Sequence, residues 1–309
     1  VIRGYLSNGS WIRKMFEAGL ELKKQYGEEN VYDFSIGNPD LPPPPAVKQA
    51  LAGIAGRADR PFAIGYMPNA GYPALRKKLA GYLSKEQKIE IPESNVIMTC
   101  GAAGGINVFF RAVLSAGDEV ICPAPYFVEY GFYAANAGGR LVPVKSKEFT
   151  FELDLDGIEK AITAKTRAVI INTPNNPTGQ IYSRAELTRL AEILAAAEKK
   201  FGRVIYVVSD EPYRFLNFDG RNGGLYFDGV KLPGALEVFP HGVVIGSYSK
   251  NLSLAGERLG YIAVSPRLED AAELMAALIL CNRILGFVNA PALAQQILME
   301  CMDSQVDLD

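Results

Sequence analysis

Lys250 closes the segment Ser247-Tyr248-Ser249-Lys250, which completes the apolar run Val243–Tyr248. A lysine in such a place ordinarily lays its stem on apolar surface and keeps its amine in water. Held partly buried beside a second cation, the same amine gives up its proton more easily and becomes a nucleophile toward aldehydes. Arg258, eight residues on, offers that cation and could also clamp a phosphate. Asp210 ends a second apolar run, and a carboxylate buried there is costly without a cationic partner. A protonated pyridine nitrogen is one such partner. Tyr213, three residues later, could donate a hydrogen bond to a phenolate-like oxygen.

Other motifs narrow the chemistry. Gly101-Ala102-Ala103-Gly104-Gly105 is a small-residue turn opening a helix, where exposed N–H groups and the helix dipole favour a phosphate. It reads equally as a plain tight turn. It lacks the G-x-G-x-x-G spacing, and Asp118 and Glu119 precede the next strand instead of ending it, which disfavours a nicotinamide site. Ser247-x-x-Lys250 matches the S-x-x-K of serine acylases, but Ser209-Asp210 runs on to Glu211 and Lys165-Thr166 to Arg167, so the S-D-N and K-T-G elements are missing. The single histidine, His241, lies in Phe239-Pro240-His241-Gly242 and reads as a loop residue. One histidine rules out a multi-histidine metal site, so no metal is expected. Proton transfer then falls to lysine, tyrosine or a carboxylate. Cys100, Cys122, Cys281 and Cys301 form no C-x-x-C pair and read as buried free thiols.

The elements that must position these residues alternate along the chain. With 309 residues, about two domains are expected, or one large domain with an appendage. Asn95–Thr99, Glu119–Cys122, Arg140–Val144, Arg167–Asn172, Val204–Ser209, Val243–Tyr248 and Leu259–Val264 read as strands. Ala103–Ala116, Phe127–Asn136, Asp156–Ile162, Arg184–Phe201, Leu268–Cys281 and Ala290–Met302 read as helices. This alternation predicts an α/β fold of three layers, a mostly parallel sheet with helices on both sides. Ser10–Gly27 reads as an amphipathic helix, and Asn38-Pro39-Asp40-Leu41 with Pro42–Pro45 as a stiff extended linker. An N-terminal arm over 1–40 and a large domain over 41–309 are expected. Open α/β sheets bind ligands beyond the carboxyl ends of their strands. The clusters at Gly101, at Asn172–Gly179, at Asp210–Tyr213 and at Ser247–Lys250 all follow strands and should meet in one crevice.

Charge and hydropathy bound the partners. With 32 basic and 34 acidic residues the net charge is −2, too little positive field for a general nucleic-acid binder. No apolar run approaches the ~18 residues of a membrane span. The start, Val1-Ile2-Arg3-Gly4-Tyr5, is not a signal peptide, so a cytoplasmic location is expected.

Taken together, from Ser35 to Val264, the motifs resemble the class I aminotransferases, the fold type I enzymes that use pyridoxal 5′-phosphate (PLP). Ser247-Tyr248-Ser249-Lys250 with Glu257-Arg258-Leu259-Gly260 looks like the family's Schiff-base segment, Asn176-Pro177-Thr178-Gly179 like its N-P-T-G, and Asp210-Glu211-Pro212-Tyr213 like its D-x-x-Y. The resemblance implies that Lys250 carries PLP and then acts as acid and base between Cα and C4′. It implies that Asp210 keeps the pyridine nitrogen protonated and that Tyr213 and Asn176 bond the ring 3′-oxygen. Gly101, Ala102, Ala103, Ser247 and Arg258 would hold the phosphate. Ala102 and Ala103 bring no hydroxyl or amine where family members often have one. Phe127 would stack on the ring, although it also reads as a core aromatic. Gly37 and Asn176 would contact substrate, with Gly37 meeting its carboxylate through backbone. Tyr66 would reach the phosphate of a neighbouring subunit in a homodimer with shared sites. Arg283 reads better as a surface or dimer-contact residue than as a substrate ligand. The small C-terminal domain of the family, with the arginine that binds the substrate α-carboxylate, is expected beyond Asp309. The implied reaction exchanges the amino group of an L-amino acid for the oxo group of a 2-oxo acid in two half-reactions. A PLP-dependent C–S β-lyase or related eliminase shares every cofactor residue, and a non-catalytic ligand-sensing module is an alternative of another class.

Overall fold

The computed structural model describes residues 14–15, 17–33, 37–216, 226–227 and 230–307. Part of the expected helix Ser10–Gly27 and the residues Ser35 and Ile36 lie outside these. The chain divides into two compact units, Val1–Asp40 and Leu41–Asp309. In the first, residues 17–26 are helical (α1), and Gly27 ends the helix at a positive φ of 88°. Lys23 pairs with Asp33 at 3.5 Å.

The second unit is built on a seven-stranded sheet. Its strands are Val96–Cys100 (β1), Glu119–Ala124 (β2), Arg140–Lys145 (β3), Thr166–Asn172 (β4), Tyr206–Asp210 (β5), Gly242–Ser247 (β8) and Leu259–Val264 (β9), in the order β1-β9-β8-β5-β4-β2-β3. Tyr226–Phe227 (β6) and Val230–Lys231 (β7) form a separate antiparallel pair. Only β9 runs against its neighbours in the main sheet; β8, β5, β4, β2 and β3 pair in parallel. The carboxyl ends of β1, β8, β5 and β4 therefore emerge along one edge.

Side chains alternate across the strands and fill two cores. Val207 of β5, Val169 of β4 and Val244 of β8 join one core, with Pro45–Ala55 (α2), Pro73–Gln87 (α3), Leu155–Ala161 (α6), Arg184–Phe201 (α7), Ala235–Val238 (α8) and Ala292–Cys301 (α10). Val208, Ile170 and Ile245 face the other, with Gly101–Val113 (α4), Tyr130–Asn136 (α5) and Ala271–Ile284 (α9). This is the three-layer α/β arrangement expected from the alternation of strand and helix. Helix α7 shows why local sequence suffices at some places. Ser183 caps it and Glu186 bonds back to the Ser183 N–H, so both ends of the capping box are made.

Two expectations need correction. The extended linker does not reach Pro45, because Pro45 is the first residue of α2, where its missing N–H costs nothing. Cys100 is half-buried, unlike the other three cysteines, because it sits at the N-cap of α4.

Gly260 locks β9 against the start of α4. A Cβ there would lie 2.5 Å from the Gly101 carbonyl carbon and 2.6 Å from the Gly246 carbonyl oxygen, and backbone cannot retreat as a side chain can. Gly260→Ala is expected to lower the unfolding free energy by about 3 kcal/mol, the upper end of what overpacking costs. Urea unfolding checks this; an unchanged midpoint would contradict the packing.

Candidate active site

Each element ending at the common edge brings residues that could take part in chemistry there. Gly101 opens α4 with φ +70°, a left-handed conformation that glycine adopts without penalty. The N–H groups at the start of α4 have no helical partner and form an anion cradle. Arg258 closes it. Its backbone is also left-handed, its Nη1 donates to the Ala255 carbonyl at 3.2 Å, and its Nη2 lies 3.0 Å from where a Gly101 Cβ would be. A side chain at Gly101 would push that guanidinium away. Ser247 ends β8, paired with Gly260 across the ladder. Lys250 follows in the next turn, half-buried, and burial first and Arg258 second pull its pKa below the usual lysine value.

The β4 end is braced by asparagines. Asn172 Nδ2 donates to the Asp210 carbonyl at 2.8 Å, and the Asn176 N–H donates to Asn172 Oδ1 at 2.6 Å. Asn175 Oδ1 accepts from the Thr178 N–H at 3.1 Å and from its hydroxyl at 3.0 Å. The turn Asn175–Gly179 is thereby tied to the end of β5, and Asn176 Nδ2 reaches the Tyr213 hydroxyl at 3.5 Å. Peptide bonds before Pro174 and Pro177 are cis.

Asp210 lies at the centre, the last residue of β5 and 5% exposed. Tyr130 of α5 donates its hydroxyl to Asp210 Oδ2 at 2.6 Å. Oδ1 is equally buried and accepts no hydrogen bond among the described residues. Burial raises the carboxyl pKa to about 7, the Tyr130 bond opposes this, and the Glu211 charge adds to it. Phe127 stands edge-on to Tyr130, ring centres 5.6 Å apart. Sequence reasoning missed Tyr130. Its only local signal is the helical spacing from Phe127, since its partner lies 80 residues away.

The structure thus brings Asn176, Asp210 and Tyr213 together on one side, and Gly101, Arg258 and Lys250 on the other. Ala102 and Ala103 are half-buried in the first turn of α4, as is Phe127 before α5. Tyr66 is 96% exposed. Gly37 belongs to the first compact unit and is exposed there. Arg283 is exposed at the end of α9.

An unsatisfied, buried carboxylate oxygen asks for a donor with positive character. The nitrogen of a protonated pyridine ring is such a donor, a lysine of lowered pKa suits an aldehyde, and the α4 cradle with Arg258 suits a phosphate. The residues present therefore fit PLP. Fold and residues together point to the class of α/β proteins that use this cofactor. The chain matches the family model of aminotransferase class I and II over residues 29–307 and belongs to that family, whose cofactor is PLP. A probable aspartate/prephenate aminotransferase of Aquifex aeolicus is 34% identical, over 81% of this chain and 59% of its own length. The putative aminotransferase YugH of Bacillus subtilis is 32% identical, over 94% of this chain and 68% of its own. The chain spans about three fifths of the length of the Aquifex relative. The crystal structure of an aminotransferase from Eubacterium rectale superimposes with a TM-score of 0.89 at 38% identity, covering 99% of this chain and 76% of that one. Thermus thermophilus aspartate aminotransferase with maleate gives 0.76 at 28%, covering 94% and 69%.

The raised pKa of Asp210 has a sign that can be tested without cofactor. Between about pH 4, the ordinary aspartate range, and about pH 7, the folded protein keeps a proton that the unfolded chain has lost. Asp210 therefore makes the cofactor-free protein less stable as pH rises through that window. Asp210→Asn should flatten this part of the pH–stability profile, read as unfolding midpoints at both ends of the window. Parallel profiles for the two proteins would contradict the assignment.

Proposed function

We propose that the protein is a PLP-dependent aminotransferase that moves the amino group of an L-amino acid to a 2-oxo acid. The observation that carries this reading is the buried Oδ1 of Asp210, which has no hydrogen-bond partner among the described residues, at the sheet edge that also bears the Asn176–Tyr213 contact and Lys250 beside Arg258. When bound, the cofactor supplies an aldehyde that condenses with amines and a ring that withdraws electrons from the carbon beside the nitrogen.

Lys250 Nζ would hold the aldehyde and, once free, would serve as the base and acid for the proton at substrate Cα. Its lowered pKa keeps more of the amine in the basic form that both tasks need. Asp210 Oδ1 would accept the ring N–H and hold that proton in place. The Tyr213 hydroxyl and Asn176 Nδ2 would donate to the ring 3′-oxygen. Backbone N–H groups of Gly101, Ala102 and Ala103 would hold the phosphate together with Ser247 and Arg258. Phe127 would cover one face of the ring, and Asn176 would meet the substrate. The exposure of Tyr66 supports a further part of the reading, a homodimer in which this tyrosine serves the neighbouring subunit's phosphate. Among the described residues no helix is long and apolar enough to cross a membrane, and the reading assigns the protein to the cytoplasm.

Incubation with PLP followed by borohydride reduction tests the central role. A stable adduct on the peptide containing Lys250 is expected, absent in Lys250→Ala. With a competent amino acid, the wild-type absorbance of the lysine-bound cofactor should fade and return on adding a 2-oxo acid. An adduct that persists in Lys250→Ala at the same site would overturn the assignment.

A further inference from the structure

The residue after Asp210 faces the opposite layer. Ser209 and Glu211 lie on the α3 and α8 side of the sheet, where Glu211 is buried with its side chain 1% exposed. Its Oε1 accepts from Ser209 Oγ at 2.7 Å and its Oε2 from Gln87 Nε2 at 3.0 Å. Arg214, 7% exposed, places Nη1 3.5 Å from the same Oε2 and donates from Nη2 to the Pro233 carbonyl at 3.1 Å. Gln87 is fixed in turn by the Leu236 N–H, which donates to its Oε1 at 3.1 Å.

This pair is a poor stabiliser. It meets at one oxygen instead of two, and Arg214 Nε is buried without a partner among the described residues. Buried ion pairs of good geometry are often no better for stability than apolar residues of the same size. Its location is what distinguishes it. Glu211 and Arg214 bracket Pro212 and Tyr213, so the contact closes the turn that carries the Tyr213 ring. Tyr213 needs such a hold, because the contact at its tip, to Asn176, is long at 3.5 Å.

We propose that the Glu211–Arg214 pair, seated on Ser209 and Gln87, is a positioning device that keeps the Tyr213 hydroxyl at the ring oxygen of the bound cofactor. The proposal rests on the cofactor reading above. Glu211 and Arg214 touch no reacting atom and act only through the turn.

The test uses the protein loaded with PLP and follows the protonation midpoint of its lysine-linked chromophore by absorbance. A hydroxyl donating to the ring oxygen stabilises its anionic form and lowers that midpoint. The double variant E211Q/R214M removes both charges together, leaving no lone buried ion and no change in net charge. Its midpoint should rise by about one pH unit, a tenfold change in the equilibrium. Tyr213→Phe should produce the same rise, and E211Q/R214M added to Tyr213→Phe should produce no more. Arg214→Lys, milder in packing, should move the midpoint part of the way and serves if the double variant does not fold. If the wild type forms no Lys250-dependent chromophore, the cofactor reading fails and this proposal with it. If the chromophore forms and the variants titrate like wild type, or the shift persists on the Tyr213→Phe background, the positioning role alone is overturned.

Discussion

A carboxylate taken out of water must either keep its proton or meet a cation. Asp210 is held at that choice. Strand β5 carries it to the end of the sheet and buries it, Tyr130 occupies one of its oxygens, and the other is buried without a hydrogen-bond partner among the described residues. In the cofactor-free protein the cost is met by protonation, which is why its pKa stands at about 7. A ring nitrogen that brings its own proton turns the same burial into attraction. Because an unmade buried hydrogen bond costs about 1–3 kcal/mol, and more for a charged group, the open oxygen works as a stored demand for a specific partner.

The sheet makes that demand directional. Alternation along β5 sends Asp210 toward α5 and Glu211 toward α3, so neighbouring carboxylates serve opposite layers. The first is the carboxylate proposed to meet the cofactor ring, and the second, through Arg214, braces the turn that bears Tyr213. On the far side of the cleft, β9 runs antiparallel between β1 and β8 and returns the chain so that Arg258 stands against the start of α4. At Gly260 this approach leaves no room for a side chain, and at Gly101 a side chain would displace the Arg258 guanidinium. Lys250 feels the resulting cation, and its amine is eased toward the neutral form.

Much of this was legible before the fold was known, and the reason is local. Strands β4, β5 and β8 are apolar runs ended by polar clusters, and α7 announces itself by Ser183, Glu186 and an apolar face at helical spacing. Lys250 and Asp210 were readable because an amine or carboxylate following an apolar strand is costly without a partner, whereas Arg258 stood out by its spacing from Lys250 and Asn176 by the N-P-T-G resemblance. Helix α2 was not readable, since Pro45 ends a proline run that looks extended yet serves as a helix start. Helix α3 was missed as well; it starts at Pro73 and carries a lysine-rich outer face. Tyr130 and the Glu211–Gln87 contact were hidden for a different cause. Their meaning arises only from pairings across 80 and 124 residues, which no local pattern encodes.

The most direct test of the account concerns one proton. Nitrogen-15 NMR of the protein loaded with ring-labelled PLP reports whether the pyridine nitrogen is protonated. The account predicts a protonated nitrogen that persists well above neutral pH in the wild type and is lost in Asp210→Ala. A ring nitrogen that is unprotonated at neutral pH in the wild type, or equally protonated without the Asp210 carboxylate, would contradict it.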